Sequence, residues 1–190
     1  MEDEYATIVV RIEEILRTKG YNIVNENNTF VIRHGVTKIS EITLQITDGD
    51  FLTGKTRSSY ANLVNKDAFN VSWLGTHENY TGQKLGTLLL IYAICDLKSK
   101  NPHIDYVKLD DDTDKSTSIS NIYNKLGFSF RDHVFLSDKT GEIVISSPDK
   151  QLVLNGPFIS SVNDILDQIA KTGGKKTKRK RKRKRKYTRK

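Results

Sequence analysis

A single cysteine in 190 residues leaves no internal disulfide to form. Cys95 lies inside an apolar stretch, which suits a reducing compartment and a small buried hydrophobe better than a nucleophile. The longest apolar run, 88–95, is far too short to span a bilayer. The opening Met1-Glu2-Asp3-Glu4 is acidic, with no apolar segment behind it, so no secretory signal pattern is read there. The expectation is a soluble, intracellular chain without membrane contact. Cys/His clusters and a nucleophile elbow are missing too, which leaves zinc chemistry and triad hydrolysis without support. The turn at 80–86 carries neither the glycine pattern of dinucleotide folds nor the Gly-Lys-Ser/Thr ending of a P-loop.

What is present is an uneven charge. The formal balance of +8 hides thirteen Lys and Arg within 175–190; residues 1–174 keep 18 basic against 23 acidic side chains, a net of −5. The division is a single acidic domain, 1–172, and a Lys/Arg-rich tail, 173–190. The tail has only Tyr187 as an aromatic and nothing apolar to bury, so it is expected to be disordered. Such a segment contacts nucleic acid by counterion release, without sequence readout. It also fits a nuclear-localisation pattern, which points to nucleus or nucleolus. Gly173-Gly174 before a basic run is similar to tails on proteins of large DNA viruses.

Along the chain, Ile8, Ile12, Ile15 and Leu16 are spaced for a helix over 3–19 that stops at Gly20. Strands are expected at 21–24 and 29–33, and alternation marks a half-buried strand over 38–47, broken by Asp48-Gly49-Asp50. Residues 51–66 read as loop with a short helix around 60–64. Pro102 ends a helix, 104–109 reads as a strand, and a helix follows, capped by Asp114, Ser116 or Thr117 and closed by Gly127. Strands at 128–136 and 142–146 flank a hairpin turn at 138–141. Residues 151–154 then finish the sheet, and Val162, Ile165, Leu166 and Ile169 mark a last amphipathic helix. The fold class is mixed α/β (α+β).

The stretch 69–97 organises the rest. An apolar strand (Phe69, Val71, Trp73, with Leu74) runs into the turn Tyr80-Thr81-Gly82-Gln83-Lys84-Leu85-Gly86 and then a helix. A glycine-containing turn that opens a helix leaves backbone N–H groups unpaired at the positive end of the dipole, which is an anion site. The stretch resembles the acetyl-CoA motif of the GNAT superfamily of N-acyltransferases, whose strand ends in Val-x-Pro-x-Tyr and continues as Arg/Gln-Gly-x-Gly-x-Gly before Leu-Leu. Tyr80, Gly82, Gly86, Leu88 and Leu89 match. Glu78 stands for the proline, Thr81 for the Arg/Gln and Lys84 for the middle glycine. A second block, Ile119 to Phe128, is similar to the family's Ala-x-x-Leu-Tyr-x-Lys-Leu-Gly-Phe; Tyr123, Lys125, Leu126, Gly127 and Phe128 match, with Ile119 for the alanine and Ser116 for a frequent asparagine. The resemblance covers 69–130 best.

It implies a mostly antiparallel central sheet flanked by helices, in which the central strand and the next splay apart. It also implies acetyl-CoA as co-substrate, no metal, and transfer to a primary amine: a protein lysine, an N-terminus or a polyamine. Leu74 and Thr76 would pair through backbone with the pantetheine arm. Thr81, Gly82, Gln83, Lys84, Leu85, Gly86, Thr87, Ser116 and Tyr123 complete the cofactor contacts, with Lys84 as a point charge for phosphate in place of glycine. Gly86→Glu is then expected to abolish cofactor binding while sparing the fold. Tyr123 stands where the family places its general acid; its other reading is a core aromatic. For the base the candidates are Glu78, His77 and Glu41, or ordered water. The run Asp110-Asp111-Asp112 lacks the glycine and bidentate glutamate of a calcium loop and reads as an acidic rim or a solvated loop. The alternative function is a catalytically inactive binding or structural protein of the same fold whose tail binds nucleic acid.

Overall fold

The computed structural model describes residues 3–53, 64–111, 121–136 and 143–172. Helix α1 (Glu4–Arg17) buries Ile8, Ile12 and Leu16, the face its spacing marks. The Asp3 carboxylate caps it by accepting the Tyr5 N–H at 3.0 Å. At its end Gly20 takes φ +78°, which lets the Tyr21 N–H reach the Leu16 carbonyl and the Gly20 N–H the Arg17 carbonyl, both at 3.0 Å. Strands β1 (Asn22–Glu26) and β2 (Thr29–His34) are joined by Asn27-Asn28, both at positive φ, the two-residue turn that matches strand twist.

Strand β3 (Thr37–Thr53) is longer than the sequence suggests. Asp48-Gly49-Asp50 does not end it: Thr47 pairs Ala68 and Phe51 pairs Lys66, so the three turn-prone residues are accommodated as a bulge opposite Asp67. Strand β4 (Val64–Thr76) follows, and of the helix expected around 60–64 only Val64 is among the described residues, where it is strand. Helix α2 (Leu85–Lys100) is apolar all round, as a helix enclosed by the rest of the domain must be. Phe30 meets the α2 residue Tyr92 edge-on at 6.0 Å, so the sheet face carrying Phe30, Ile42 and Leu74 is the one α2 covers.

Strand β5 (Tyr106–Leu109) leads to α3 (Ile122–Lys125), which Asn121 caps; Asp114, Ser116 and Thr117 lie outside the described residues. Strand β6 (Ser129–Leu136) and β7 (Ile143–Val153) complete the sheet, and the turn proposed at 138–141 falls outside the description. The two strands expected at 142–146 and 151–154 are one, because Pro148 sits at a register shift between Arg131 and His133 of the partner strand, where a missing N–H breaks no ladder bond. Helix α4 (Gly156–Thr172) packs beside α1, with Arg11 bonded to Asn163 and ion-paired to Asp167.

Among the described residues the sheet has seven strands in the order β1-β2-β3-β4-β5-β7-β6, with β3 also meeting β6, and is antiparallel except for β4 with β5. This is the mixed, mostly antiparallel sheet flanked by helices that the sequence implies. Cys95 is buried in the core, and burial pushes its thiol well above the ordinary range, which suits packing and not nucleophilic attack. No helix among the described residues is long and apolar enough to cross a membrane.

Candidate active site

The site grows from the point where β4 and β5 part. Their parallel pairing is three residues long, Phe69 with Val107, Asn70 with Lys108 and Val71 with Leu109. At the next residue β4 bulges: Val71 pairs Leu44 and Trp73 pairs Thr43, leaving Ser72 extra, its hydroxyl donating to the Thr43 carbonyl at 3.3 Å. The bulge bends β4 and shifts its alternation by one. Val71 and Leu74 therefore pack on the core, whereas Trp73, counted with the apolar strand positions in the sequence, is 60% exposed and lies over Gly75. From Ser72 to Thr76, β4 pairs with β3 alone among the described residues, and its other edge presents backbone to whatever enters the fork.

At the end of that edge the helix meets the strand. Buried Ser40 donates its hydroxyl to the Gly75 carbonyl at 2.8 Å and lies 2.8 Å from the Thr76 hydroxyl, which turns the Thr76 side chain inward. A Cβ at Gly86 would stand 2.9 Å from Thr76 Oγ1. Gly86 is thus the residue through which α2 docks on β4. A side chain at Gly86 has to displace the Thr76 hydroxyl, so Gly86→Glu acts on the strand–helix contact as well as on the anion site.

The connecting loop is organised locally. His77 donates its N–H to the Ile39 carbonyl at 2.8 Å, and its Nδ1 accepts the Asn79 N–H at 3.3 Å, capping the turn Glu78–Tyr80. A neutral ring that accepts at Nδ1 carries its proton on Nε2, so its base function and its capping function compete for one lone pair. Thr81 bonds back to the Glu78 carbonyl through both N–H and hydroxyl, at 3.2 and 2.9 Å. Tyr21 donates to Gln83 Oε1 at 3.2 Å, tying the loop to the start of β1. Gly82 has φ +78° and Lys84 has φ +65°. Lys84 thus holds a left-handed conformation that favours glycine, at roughly 1 kcal/mol of strain. Lys84 is the N-cap of α2 and gives no side-chain cap, so the N–H groups of Leu85, Gly86 and Thr87 point outward at the positive end of the helix. The Leu85 side chain is buried, which restricts its contribution to backbone.

On the other side of the fork stands a sealed ion pair. Lys150 pairs with Leu109 across β5 and β7, and its ammonium reaches the Asp111 carboxylate at 2.6 Å with both side chains wholly enclosed. Asn121 donates to the same Asp111 oxygen at 3.0 Å and accepts the Tyr123 N–H at 2.8 Å, so the cap of α3 is tied to the pair. Lys150 Nζ lies 5.7 Å from the centre of the Tyr123 ring and 4.9 Å from that of Phe130. Phe128 closes on Tyr123 edge-on at 5.8 Å. Burial, and after it the Asp111 carboxylate, push the Tyr123 phenol above its ordinary value, so it is a proton donor at neutral pH.

Of the residues singled out in the sequence, Leu74, Thr76 and Gly86 come together at the strand–helix junction, and Thr81, Gly82, Gln83, Lys84, Leu85 and Thr87 line the turn and first helical turn. Tyr123 lies in α3, beside the Lys150–Asp111 pair. His77 and Glu78 are exposed on the loop beyond β4. Glu41 is engaged by Lys38 at 2.6 Å, and Ser116 lies outside the described residues. Asp111, read from the sequence as rim or solvated loop, is corrected to a buried ion-pair partner. Lys150 was missed altogether: a lone lysine 39 residues from its partner leaves no periodic signal. Among the described residues no group of His, Cys, Asp and Glu is arranged to hold a metal ion.

No protein-family model matches the chain, and neither does the sequence of any curated protein. Solved structures that it is similar to include the Escherichia coli ribosomal-protein-S18-alanine N-acetyltransferase, 12% identical over 78% of this chain and 89% of that one, with a TM-score of 0.43. Another is Arabidopsis thaliana NAA60 in complex with a bisubstrate analogue, 16% identical over 79% and 94%, TM-score 0.46. A third is the NatC complex bound to Gag peptide and CoA, 14% identical over 82% and 93%, TM-score 0.42. These are distant likenesses of form; the chemical reading rests on this chain's own residues.

Proposed function

We propose that the chain is an N-acetyltransferase that moves an acetyl group from acetyl-CoA to a primary amine. The observation that carries the reading is the convergence, within one strand–turn–helix unit, of the edge of β4 that is unpaired among the described residues with the start of α2, which has no side-chain cap. An extended amide-bearing arm would add to the edge at Leu74 and Thr76 as a strand does. The outward N–H groups of α2, the 81–84 turn and the Lys84 ammonium would take its pyrophosphate. Acetyl-CoA supplies the acyl thioester. Tyr123, kept protonated, gives its proton to the departing sulfur and regains one from solvent. The attacking amine must arrive neutral, and its proton passes to water or to exposed Glu78 or His77. Glu41, already engaged by Lys38, is the weakest of the three candidate bases.

The net charge of −5 on residues 1–174 favours a cationic acceptor, whether protein lysine, N-terminus or polyamine. The 175–190 tail would hold the enzyme near nucleic acid in nucleus or nucleolus and raise its local concentration there. Calorimetric titration of acetyl-CoA tests the reading. It is run with the full chain and with a form whose tail Lys and Arg are replaced by Gly and Ser. Micromolar binding in both, weakened roughly tenfold by Lys84→Glu, is expected. Absence of binding would favour a fold without turnover whose working part is the tail. Thiol release with spermidine, a lysine peptide and a free-N-terminus peptide then identifies the acceptor class.

A further inference from the structure

A buried ion pair is a poor way to hold a fold together. Desolvating two charges offsets most of their attraction, and apolar residues of the same volume do as well or better. The enclosed Lys150–Asp111 pair therefore calls for another reason, and its surroundings supply one. Asp111 binds Asn121, whose side chain accepts the Tyr123 N–H and so sets the start of α3. Lys150 stands 5.7 Å from the centre of the Tyr123 ring, with Phe130 4.9 Å from the same ammonium. Among the described residues, Asp111 and Lys150 are the charged groups that face this tyrosine from the elements around it. We propose that the pair is a positioning device for Tyr123. Asp111 fixes the backbone that carries the ring, and Lys150 holds a cation against the ring, where it steadies the phenol and eases the negative charge that develops as the proton leaves. Lys150 and Asp111 touch no reacting atom; they act through the tyrosine. The inference rests on the reading of Tyr123 as the proton donor.

The test removes both charges of the pair together, with Asp111→Leu and Lys150→Met in one chain. Turnover is followed as thiol release from acetyl-CoA with the three acceptors named above. The expected result is an unfolding midpoint equal to or above that of the wild type, a KM for acetyl-CoA within twofold, and kcat lowered at least tenfold. In a Tyr123→Phe background the same two substitutions should cost nothing further, because the losses run through one group. The 13Cζ resonance of Tyr123, assigned by its absence in Tyr123→Phe, should titrate at a different pH once the pair is gone. Should the Leu/Met chain not fold, Asp111→Asn with Lys150→Met, which keeps an acceptor for Asn121, takes its place. An unchanged kcat in the paired variant, or a loss that adds in full to that of Tyr123→Phe, overturns the proposal and leaves the acetyltransferase reading standing. If the wild type shows no turnover, that reading fails by itself, and an unmoved Tyr123 titration then overturns the positioning role as well.

Discussion

Past Val71, β4 offers backbone: an edge with no β5 partner among the described residues, a glycine against Thr76, and a turn whose shape is set by two positive φ angles. Past Leu109, β5 leads instead into side-chain charge, a carboxylate and an ammonium sealed from water around one tyrosine. The two walls of the fork respond differently to substitution. A site made of N–H and C=O groups survives changes of side chain as long as the chain path is kept. Lys84 is the example: it carries a side chain yet keeps the turn at φ +65°. A site made of enclosed charges has less tolerance, because a charge taken out of water depends on the partners it finds inside.

The sharpest way to break this contrast is on the charged wall. Lys150→Met alone should destabilise the protein by about 3–5 kcal/mol in chemical denaturation, since it takes the ammonium away from an enclosed carboxylate; a small effect would mean that water or other groups compensate the charge. Tyr123→Phe should lower kcat about 100-fold with KM for acetyl-CoA little changed. The wild-type kcat should fall on the alkaline side only above the ordinary tyrosine value near pH 10. The sign follows from burial, which raises the phenol, so the donor persists to higher pH and is lost as pH climbs through the raised value. On the backbone wall, Gly86→Ala should cost about 1–3 kcal/mol through the approach to Thr76 Oγ1, and Thr76→Ala should restore most of it. A thermal melt of the single and double variants decides. Smallest is Lys84→Gly. Relief of positive φ and the added freedom of the unfolded chain offset one another to within about 1 kcal/mol, while acetyl-CoA affinity drops severalfold if the ammonium serves phosphate. Unchanged affinity would assign the anion site to backbone alone.

The strand–turn–helix unit was legible because everything that builds it is local. Gly82, Gly86 and the apolar run after them announce a turn, a close approach and an enclosed helix within 30 residues of chain. The same reading counted Trp73 with the apolar strand positions, giving no sign that it turns to solvent, and ended β3 at Asp48-Gly49-Asp50; both have one cause. A β-bulge inserts residues without changing the pattern of residue types, so alternation counted along one strand cannot reveal it. The extra residue is defined only by the partner strand, as Ser72 is by Thr43 and Leu44.

By itself the sequence determined the mixed α/β class, the central turn with its outward N–H groups, the amphipathic α1 and α4, the enclosed Cys95 and the division between an acidic body and a basic tail. Each of these is a property of neighbouring residues and of totals, and propensity, periodicity and charge are additive along the chain. Tertiary structure alone decided where β4 and β5 part, what Gly86 touches, and that Asp111 and Lys150 meet under Tyr123. Those outcomes depend on which distant residues share one small volume. The free energy of burying a charge is set by the partner found there, and no stretch of chain contains that partner.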